Sequence, residues 1–238
     1  MQTHMQTPRV LITGGTSGLG LALVRELTAR GASVAFVART ATRVAEVARE
    51  QGAHGIVGDV AQKHEIHRIA LQASGTLGGL DVLINNASDL GPTPLALLGD
   101  TECEDFERAL LTNVLGPFRL TKALLGSLAA SAREGRGSVV LNISSDAAVN
   151  AYGGWGAYGS SKAALAHMTR VWNEEMAPLG VKLLALDPGD MDTPMHALAV
   201  PDADRATLKQ PSAAAIEIAD AIVDLLPAQL ATILRRAS

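Results

Sequence analysis

The sequence predicts an α/β fold: a parallel, doubly wound sheet of six strands with helices on both faces, a three-layer sandwich. Three observations carry that prediction. Short, almost continuous apolar runs alternate with longer stretches of helical periodicity. The first run empties straight into a glycine-rich turn and then a helix. Polar residues with ligand chemistry recur where the apolar runs end, and the carboxyl ends of strands are where open α/β sheets gather ligands. No internal repeat or linker breaks the alternation, so residues 1–238 are expected to form one domain.

Arg9–Thr13 reads as a buried strand, and helical periodicity covers residues 19–29. Between them lies Thr13-Gly14-Gly15-Thr16-Ser17-Gly18-Leu19-Gly20. Glycines allow a tight turn and close backbone approach, and a helix N-terminus offers free N–H groups to a pyrophosphate. The spacing is G-x-x-x-G-x-G rather than G-x-G-x-x-G. In a strand–turn–helix setting it predicts dinucleotide binding over plain punctuation. The second strand, Ser33–Ala38, ends against Arg39, with Thr40 and Arg43 beyond. A carboxylate at that end would bind the adenosine ribose hydroxyls and mark NAD. A guanidinium suits the 2′-phosphate of NADP, because it forks onto phosphate oxygens and stays charged. NADP(H) is therefore expected ahead of NAD(H), with a solvated loop charge as the alternative reading of Arg39. Ser17, inside the glycine loop, adds no second cation.

Ala41–Gln51 is an amphipathic helix and residues 55–58 a third strand. Asp59-Val60 follows; Asp59 either accepts a hydrogen bond from the adenine amino group or caps the helix at 62–76. The fourth strand, 81–85, ends in Asn85-Asn86-Ala87-Ser88, whose amides either bridge backbone and cofactor or tie neighbouring loops. After the Gly91-Pro92-Thr93-Pro94 loop, a helical region covers 103–132, interrupted at Gly116-Pro117. Asn113 inside it has poor helix propensity, which marks either function or a buried hydrogen bond. The fifth strand, 137–143, delivers Ser144 and Ser145 at its carboxyl end. Gly156–Met176 is the next helix and Val181–Leu186 the sixth strand, followed by Asp187-Pro188-Gly189-Asp190-Met191-Asp192-Thr193-Pro194.

The helix at Gly156–Met176 carries Tyr158-Gly159-Ser160-Ser161-Lys162. Residues four apart on a helix share one face. A free phenol titrates near ~10, too high for a neutral-pH proton shuttle. A cation within roughly 4–6 Å stabilises the phenolate. Bringing it to about 7 needs roughly 4 kcal/mol at ~1.36 kcal/mol per unit. Lys162, with a positively charged cofactor ring nearby, is expected to supply it.

Composition bounds the remaining classes. With 47% hydrophobic residues and a net charge of −4, the chain has no basic block to suggest nucleic acid or an anionic membrane. Its single cysteine, Cys103, excludes an intrachain disulfide, and a reducing cytoplasm is the expected setting. The first nine residues are polar, without the apolar centre of a signal peptide, and Met5 offers a second start. No apolar run is long enough to suggest a membrane span.

These motifs together resemble the short-chain dehydrogenase/reductase family over nearly the whole chain. The matches are Thr13 to Gly20, Asn85-Asn86-Ala87, Asn113-Val114-Leu115-Gly116, Asn142-Ile143-Ser144-Ser145, Tyr158 to Lys162, and Pro188-Gly189. The resemblance implies a Rossmann-type sheet in the order 3-2-1-4-5-6. It also implies a catalytic tetrad of Asn113, Ser145, Tyr158 and Lys162. Ser145 is preferred to Ser144 because the family's serine, like Ser145, lies 13 residues before the tyrosine (158 − 145). Tyr152, the other tyrosine, has Gly156 where a lysine would be needed. Cofactor contacts are expected from Gly14, Thr16, Ser17, Gly18, Leu19, Gly20, Arg39, Asp59, Val60, Asn86, Ala87, Tyr158, Lys162, Pro188, Gly189 and Thr193, with no metal. The implied reaction is reversible hydride transfer between NADP(H) and a small carbonyl/alcohol pair, with Tyr158 as acid and base. The implied assembly is a homodimer or homotetramer. A non-catalytic dinucleotide-binding sensor or scaffold of the same fold is the alternative. An epimerase or dehydratase sharing Tyr-x-x-x-Lys would be longer and space its glycines as G-x-x-G-x-x-G.

Two segments depart from or extend the family pattern. Members usually finish with a seventh strand; here the tail after a helix at 211–226 reads as a short strand or a helix. Residues 195–210, between Pro194 and Pro211, are expected to form a cover that is mobile without ligands and ordered with them. Substrate contacts are expected from 89–98, 146–157 and 195–210.

Overall fold

The computed structural model describes residues 7–235. The six apolar runs form β1 (Arg9–Thr13), β2 (Ser33–Ala38), β3 (His54–Val57), β4 (Val82–Asn85), β5 (Ser138–Ile143) and β6 (Val181–Leu186). They make one sheet in the order β3-β2-β1-β4-β5-β6, with every pairing parallel. The chain leaves β1 toward β2 on one side and returns through β4 on the other. That reversal opens a crevice at the carboxyl ends of β1 and β4.

Nine α-helices surround the sheet among the described residues: α1 (Gly18–Ala29), α2 (Ala41–Gln51), α3 (Ile66–Leu77), α4 (Cys103–Leu110), α5 (Gly116–Arg133), α6 (Gly156–Met176), α7 (Pro194–Ala199), α8 (Pro211–Leu225) and α9 (Ala228–Leu234). Strand residues alternate between two cores, as a period of two requires when both faces are covered. Val10, Ile12, Val82 and Ile84 pack with Leu23 and Leu27 of α1 and Ile218 and Ile222 of α8. Leu11, Leu83 and Val140 pack with Ile69 of α3 and Leu120 and Leu124 of α5. Helices α2 and α3 stop at Gly52 and Gly78, whose φ values of 64° and 68° continue no helix and suit glycine.

The structure sharpens three expectations. The 103–132 helix is not simply broken at Gly116-Pro117. The chain widens into a π-helical turn, Leu111–Leu115, between α4 and α5, and the Gly116 N–H reaches back to the Leu111 carbonyl. Pro117 explains it, since it has no N–H for the Asn113 carbonyl four residues earlier. Of the two readings of the tail, a short strand or a helix, the described residues show the second: α9, which buries Leu230, Ala231 and Leu234 on one helical face. The last part of the predicted tail, 236–238, lies outside the described residues, as do Met1 and Met5. The predicted cover is partly regular: α7 takes its first half, and a 3-10 turn, Arg205–Thr207, its second.

Candidate active site

A cleft of about 710 Å³ runs along the carboxyl edge of the sheet. Every residue expected to touch a cofactor lines it, from Arg39 and Asp59 at one end to Thr193 at the other. The glycine loop forms its floor. A Cβ at Gly20 would overlap the Gly14 carbonyl oxygen, and one at Gly14 would press on the Ala87 backbone at 3.0 Å, so only glycine lets this turn close. The Thr13 hydroxyl accepts from the Asn86 and Ala87 N–H groups, both at 3.0 Å. The Asn86 amide donates to the Thr13 carbonyl at 2.8 Å. Asn86 thus ties the loop to β4. At the start of α1, Ser17 supplies no side-chain cap and no acid occupies the first turn. Those uncapped N–H groups face the cleft, as a pyrophosphate would require. The residues present therefore fit a dinucleotide.

At the adenosine end the Arg39 guanidinium is exposed, and among the described residues no hydrogen bond or ion pair engages it. Its neighbour Arg43, by contrast, is held by Glu46 at 2.6 Å. One Asp59 carboxylate oxygen accepts from the Ala61 N–H at 2.9 Å, two residues on, so it closes a turn before the next helix instead of capping it, and the other oxygen remains for a base. At the far end Thr193 accepts the His196 N–H at 3.1 Å, capping α7 while leaving its hydroxyl proton free to donate. Gly189, at φ 77°, turns the chain there, and its N–H is held by Asp187 at 2.9 Å.

The remaining residues converge beneath the nicotinamide end. Tyr158 and Lys162 lie on one face of α6, with the Lys162 Nζ 5.4 Å from the Tyr158 ring centre. Lys162 is buried and donates to the Ile143 carbonyl at 2.7 Å. Burial lowers its pKa to about 8, while the charge of Asp187 opposes the fall. Burial pushes the Tyr158 phenol up to about 12; a hydrogen bond with Ser145 pulls it back, the charge of Asp187 adds to the rise, and Ser88 opposes it. Lys162 by itself does not offset this burial; the expected lowering counts on the charge of the cofactor ring as well. Desolvation of the phenolate outweighs a cation held against a backbone carbonyl instead of the phenol oxygen.

Ser144 and Ser145 both line the cleft, Ser144 the more buried of the two. The Ser145 Oγ accepts from the Ala147 N–H at 3.2 Å and donates to Asp146 at 3.1 Å. Tyr152 spends its phenol on Asp146 at 2.7 Å. Asn113 does not line the cleft. Its buried amide donates to the Asp89 carbonyl at 2.7 Å and to Ser161 at 2.8 Å, and it accepts from the Asp89 N–H at 2.8 Å. Its side chain is fully engaged in joining the β4 loop to α6, and its carbonyl stands four residues before Pro117, which has no N–H to give it. Sequence reasoning missed Ser161, which links Asn113 to the Tyr158 carbonyl at 2.6 Å, and Asp187. A serine inside a helix gives no outward signal; Asp187 could have been found from its place just past β6. Among the described residues, no group of three or more His, Cys, Asp or Glu could hold a metal ion, and no helix is long and apolar enough to cross a membrane.

Comparison with known proteins agrees with this geometry. The family model for short chain dehydrogenase matches residues 8–204. The chain is similar to a 2-(R)-hydroxypropyl-CoM dehydrogenase of Xanthobacter autotrophicus, 32% identical over 192 residues, covering 78% of this chain and 75% of that one. Among solved structures it is similar to a 3-ketoacyl-(acyl-carrier-protein) reductase of Brucella melitensis complexed with NADH. That pair has a TM-score of 0.84 and 25% identity, covering 95% of this chain and 93% of that one. It is also similar to an alcohol dehydrogenase of Thermococcus sibiricus complexed with 5-hydroxy-NADP. Here the TM-score is 0.77 and the identity 26%, covering 90% and 89%.

Proposed function

The chain belongs to the short-chain dehydrogenase family, and from that premise we propose that it is an NADP(H)-dependent oxidoreductase interconverting a small carbonyl compound and its alcohol. When bound, the dinucleotide gives hydride to the carbonyl carbon or takes it from the alcohol. Tyr158 donates its phenolic proton to the substrate oxygen in reduction and takes it back in oxidation. Ser145 hydrogen-bonds the same oxygen and stabilises its developing charge. Lys162 holds the nicotinamide ribose and, charged beside the phenol, favours the phenolate. The Asn113 carbonyl, at the π turn, anchors a water that returns protons through Lys162. Asn113 is in this reading a positioning residue.

The observation that carries the reading is the joint placement of Tyr158, Lys162 and Ser145 in one cleft. A phenol at about 12 is a fully protonated donor at neutral pH, which suits reduction. Arg39, unengaged at the adenosine end, supports NADP(H). The long helices α5 and α6 supply the faces for a homodimer. The lone cysteine fits a cytoplasmic setting.

Tyr158→Phe tests it. The variant should lose carbonyl reduction by more than a hundredfold while binding NADPH as the parent does, since only the proton donor is gone. Turnover and NADPH fluorescence titration read both properties. Residual turnover within tenfold of the parent would remove Tyr158 from the acid role.

A further inference from the structure

We propose that the substrate is an α-hydroxy carbonyl compound, reduced to a vicinal diol, and that Asp146 recognises its α-hydroxyl. This rests on the oxidoreductase reading above and narrows its substrate class. The starting point is the proton of Ser145. A serine hydroxyl has one hydrogen and two lone pairs. Here the hydrogen goes to Asp146 Oδ1 at 3.1 Å, and one lone pair takes the Ala147 N–H at 3.2 Å. The other lies toward Tyr158. A ketone oxygen can only accept, so Ser145 cannot donate to it without leaving Asp146.

Leaving Asp146 is costly. Its carboxyl is held below the usual range first by Tyr152, at 2.7 Å, and then by Ser145, so it is charged at neutral pH. Asp146 is exposed in the free chain, where water replaces a lost donor; once substrate fills the cleft and excludes that water, losing the donor costs the strength of a charge-assisted bond. A plain ketone leaves that loss uncompensated. A substrate with a hydroxyl on the adjacent carbon repairs it. The two oxygens of such a compound lie about as far apart as two hydrogen-bonded oxygens, roughly 2.7 Å, close to the 3.1 Å between Ser145 Oγ and Asp146 Oδ1. The carbonyl oxygen then takes the Ser145 proton while the α-hydroxyl donates to Asp146 in its place.

The balance is simple. The carbonyl carbon gains hydride and its oxygen gains the Tyr158 proton. The C=O π bond is lost, the dinucleotide is oxidised, and the α-hydroxyl leaves the reaction unchanged. The surrounding charge agrees with a neutral substrate. Asp146, Asp187 and Asp190 line this half of the cleft, and its one lysine, Lys162, is spent on a carbonyl. An α-keto acid would meet carboxylates, and it has no α-hydroxyl to offer.

The test compares 1-hydroxy-2-butanone with 3-pentanone, which differ by a hydroxyl in place of a methyl. The parent should favour the hydroxyketone in kcat/KM, and Asp146→Ala should lower that ratio by about 10- to 100-fold, the range of one charge-assisted hydrogen bond. The ratio cancels general damage to the site. Asp146→Asn, closest in shape, guards against misfolding and should lower it too, because a neutral amide accepts more weakly. A ratio that stays within threefold of the parent's in both folded variants overturns the role of Asp146. A parent that turns over 3-pentanone as well as the hydroxyketone overturns the substrate class and leaves the oxidoreductase reading standing. Silence toward both ketones with NADPH and NADH fails the broader reading and this one with it.

Discussion

Arg39 concentrates the nucleotide choice on one side chain. Among the described residues its guanidinium is the one cation that lines the cleft beside Asp59, and no acid pairs with it. Such a group gives roughly 1.5–3 kcal/mol to a phosphate it meets bidentately. Arg39→Ala should therefore weaken NADPH binding by roughly 10- to 100-fold and leave NADH nearly unchanged, at ~1.4 kcal/mol per decade. Titration of both nucleotides against parent and variant checks it; equal losses would make Arg39 structural. The place of Arg39 at the cleft was legible in the sequence because it depends on position after a strand, which is a local property. The shared face of Tyr158 and Lys162 was legible for the same reason, since it needs only helical spacing. The direction of the Tyr158 shift was not. It depends on how much protein covers the phenol and on where the lysine finds its acceptor, and both belong to tertiary structure.

At the scale of elements, strands and helices could be read because each carries its own period. The π turn could not. Gly116-Pro117 announces a disturbance, but whether the helix breaks, kinks or widens depends on what else holds Asn113. Here the β4 loop and Ser161 clamp its amide, so the chain widens and continues. The cover over residues 195–210 shows the same limit. Its sequence suggested a loop, yet Thr193 caps α7, Arg205 forks onto Asp192 at 2.8 and 3.0 Å, and Lys209 bridges to Met191 and donates to the Pro188 carbonyl at 3.1 Å. Both ends are therefore fastened, and the loose part is the middle, where Leu198 is 60% exposed beside Val200. An exposed leucine at the mouth of a cleft has apolar surface to gain from a ligand. Amide hydrogen exchange should slow on adding NADPH and substrate, most of all between Leu198 and Asp204, and change little at Arg205–Thr207. Equal, strong protection with and without ligands would make this segment a static wall, and specificity would then fall to 146–157.

Across the whole molecule, the sheet order follows from right-handed crossovers between parallel strands, and the alternation of strand residues puts one core on each face. The tail stayed open between strand and helix because a short apolar segment satisfies either period. The choice was made by what it meets. Leu230 and Leu234 close the core over α1 and α8, and Arg30 binds the Leu234 carbonyl at 3.0 Å along with Asp220 and Glu26. The amino ends of β1, β4 and β5 are tied by Asp81. This buried carboxylate, just before β4, accepts from Arg136 of the α5–β5 turn at 2.9 and 2.6 Å, from Arg9 of β1 at 2.8 Å, and from Ser131 of α5 at 2.6 Å. Burial alone would raise its pKa, but the donors, Arg136 foremost, outweigh it and hold the group below the usual carboxylate range. A lowered folded pKa means stability that is present above the unfolded value, near ~3.9, and is lost as pH falls through the folded one. Asp81→Asn leaves two guanidinium groups without their shared charge, Arg136 nearly buried and Arg9 partly so. The loss should be about 3–5 kcal/mol at pH 7. Urea unfolding of parent and variant should show that gap at neutral pH and show it closing below about pH 4, where the parent's carboxylate begins to protonate. A gap under about 1 kcal/mol at pH 7, or one that stays constant into acid, would mean that the two arginines find solvent or other partners and that the strands β1, β4 and β5 are held together by their apolar faces alone.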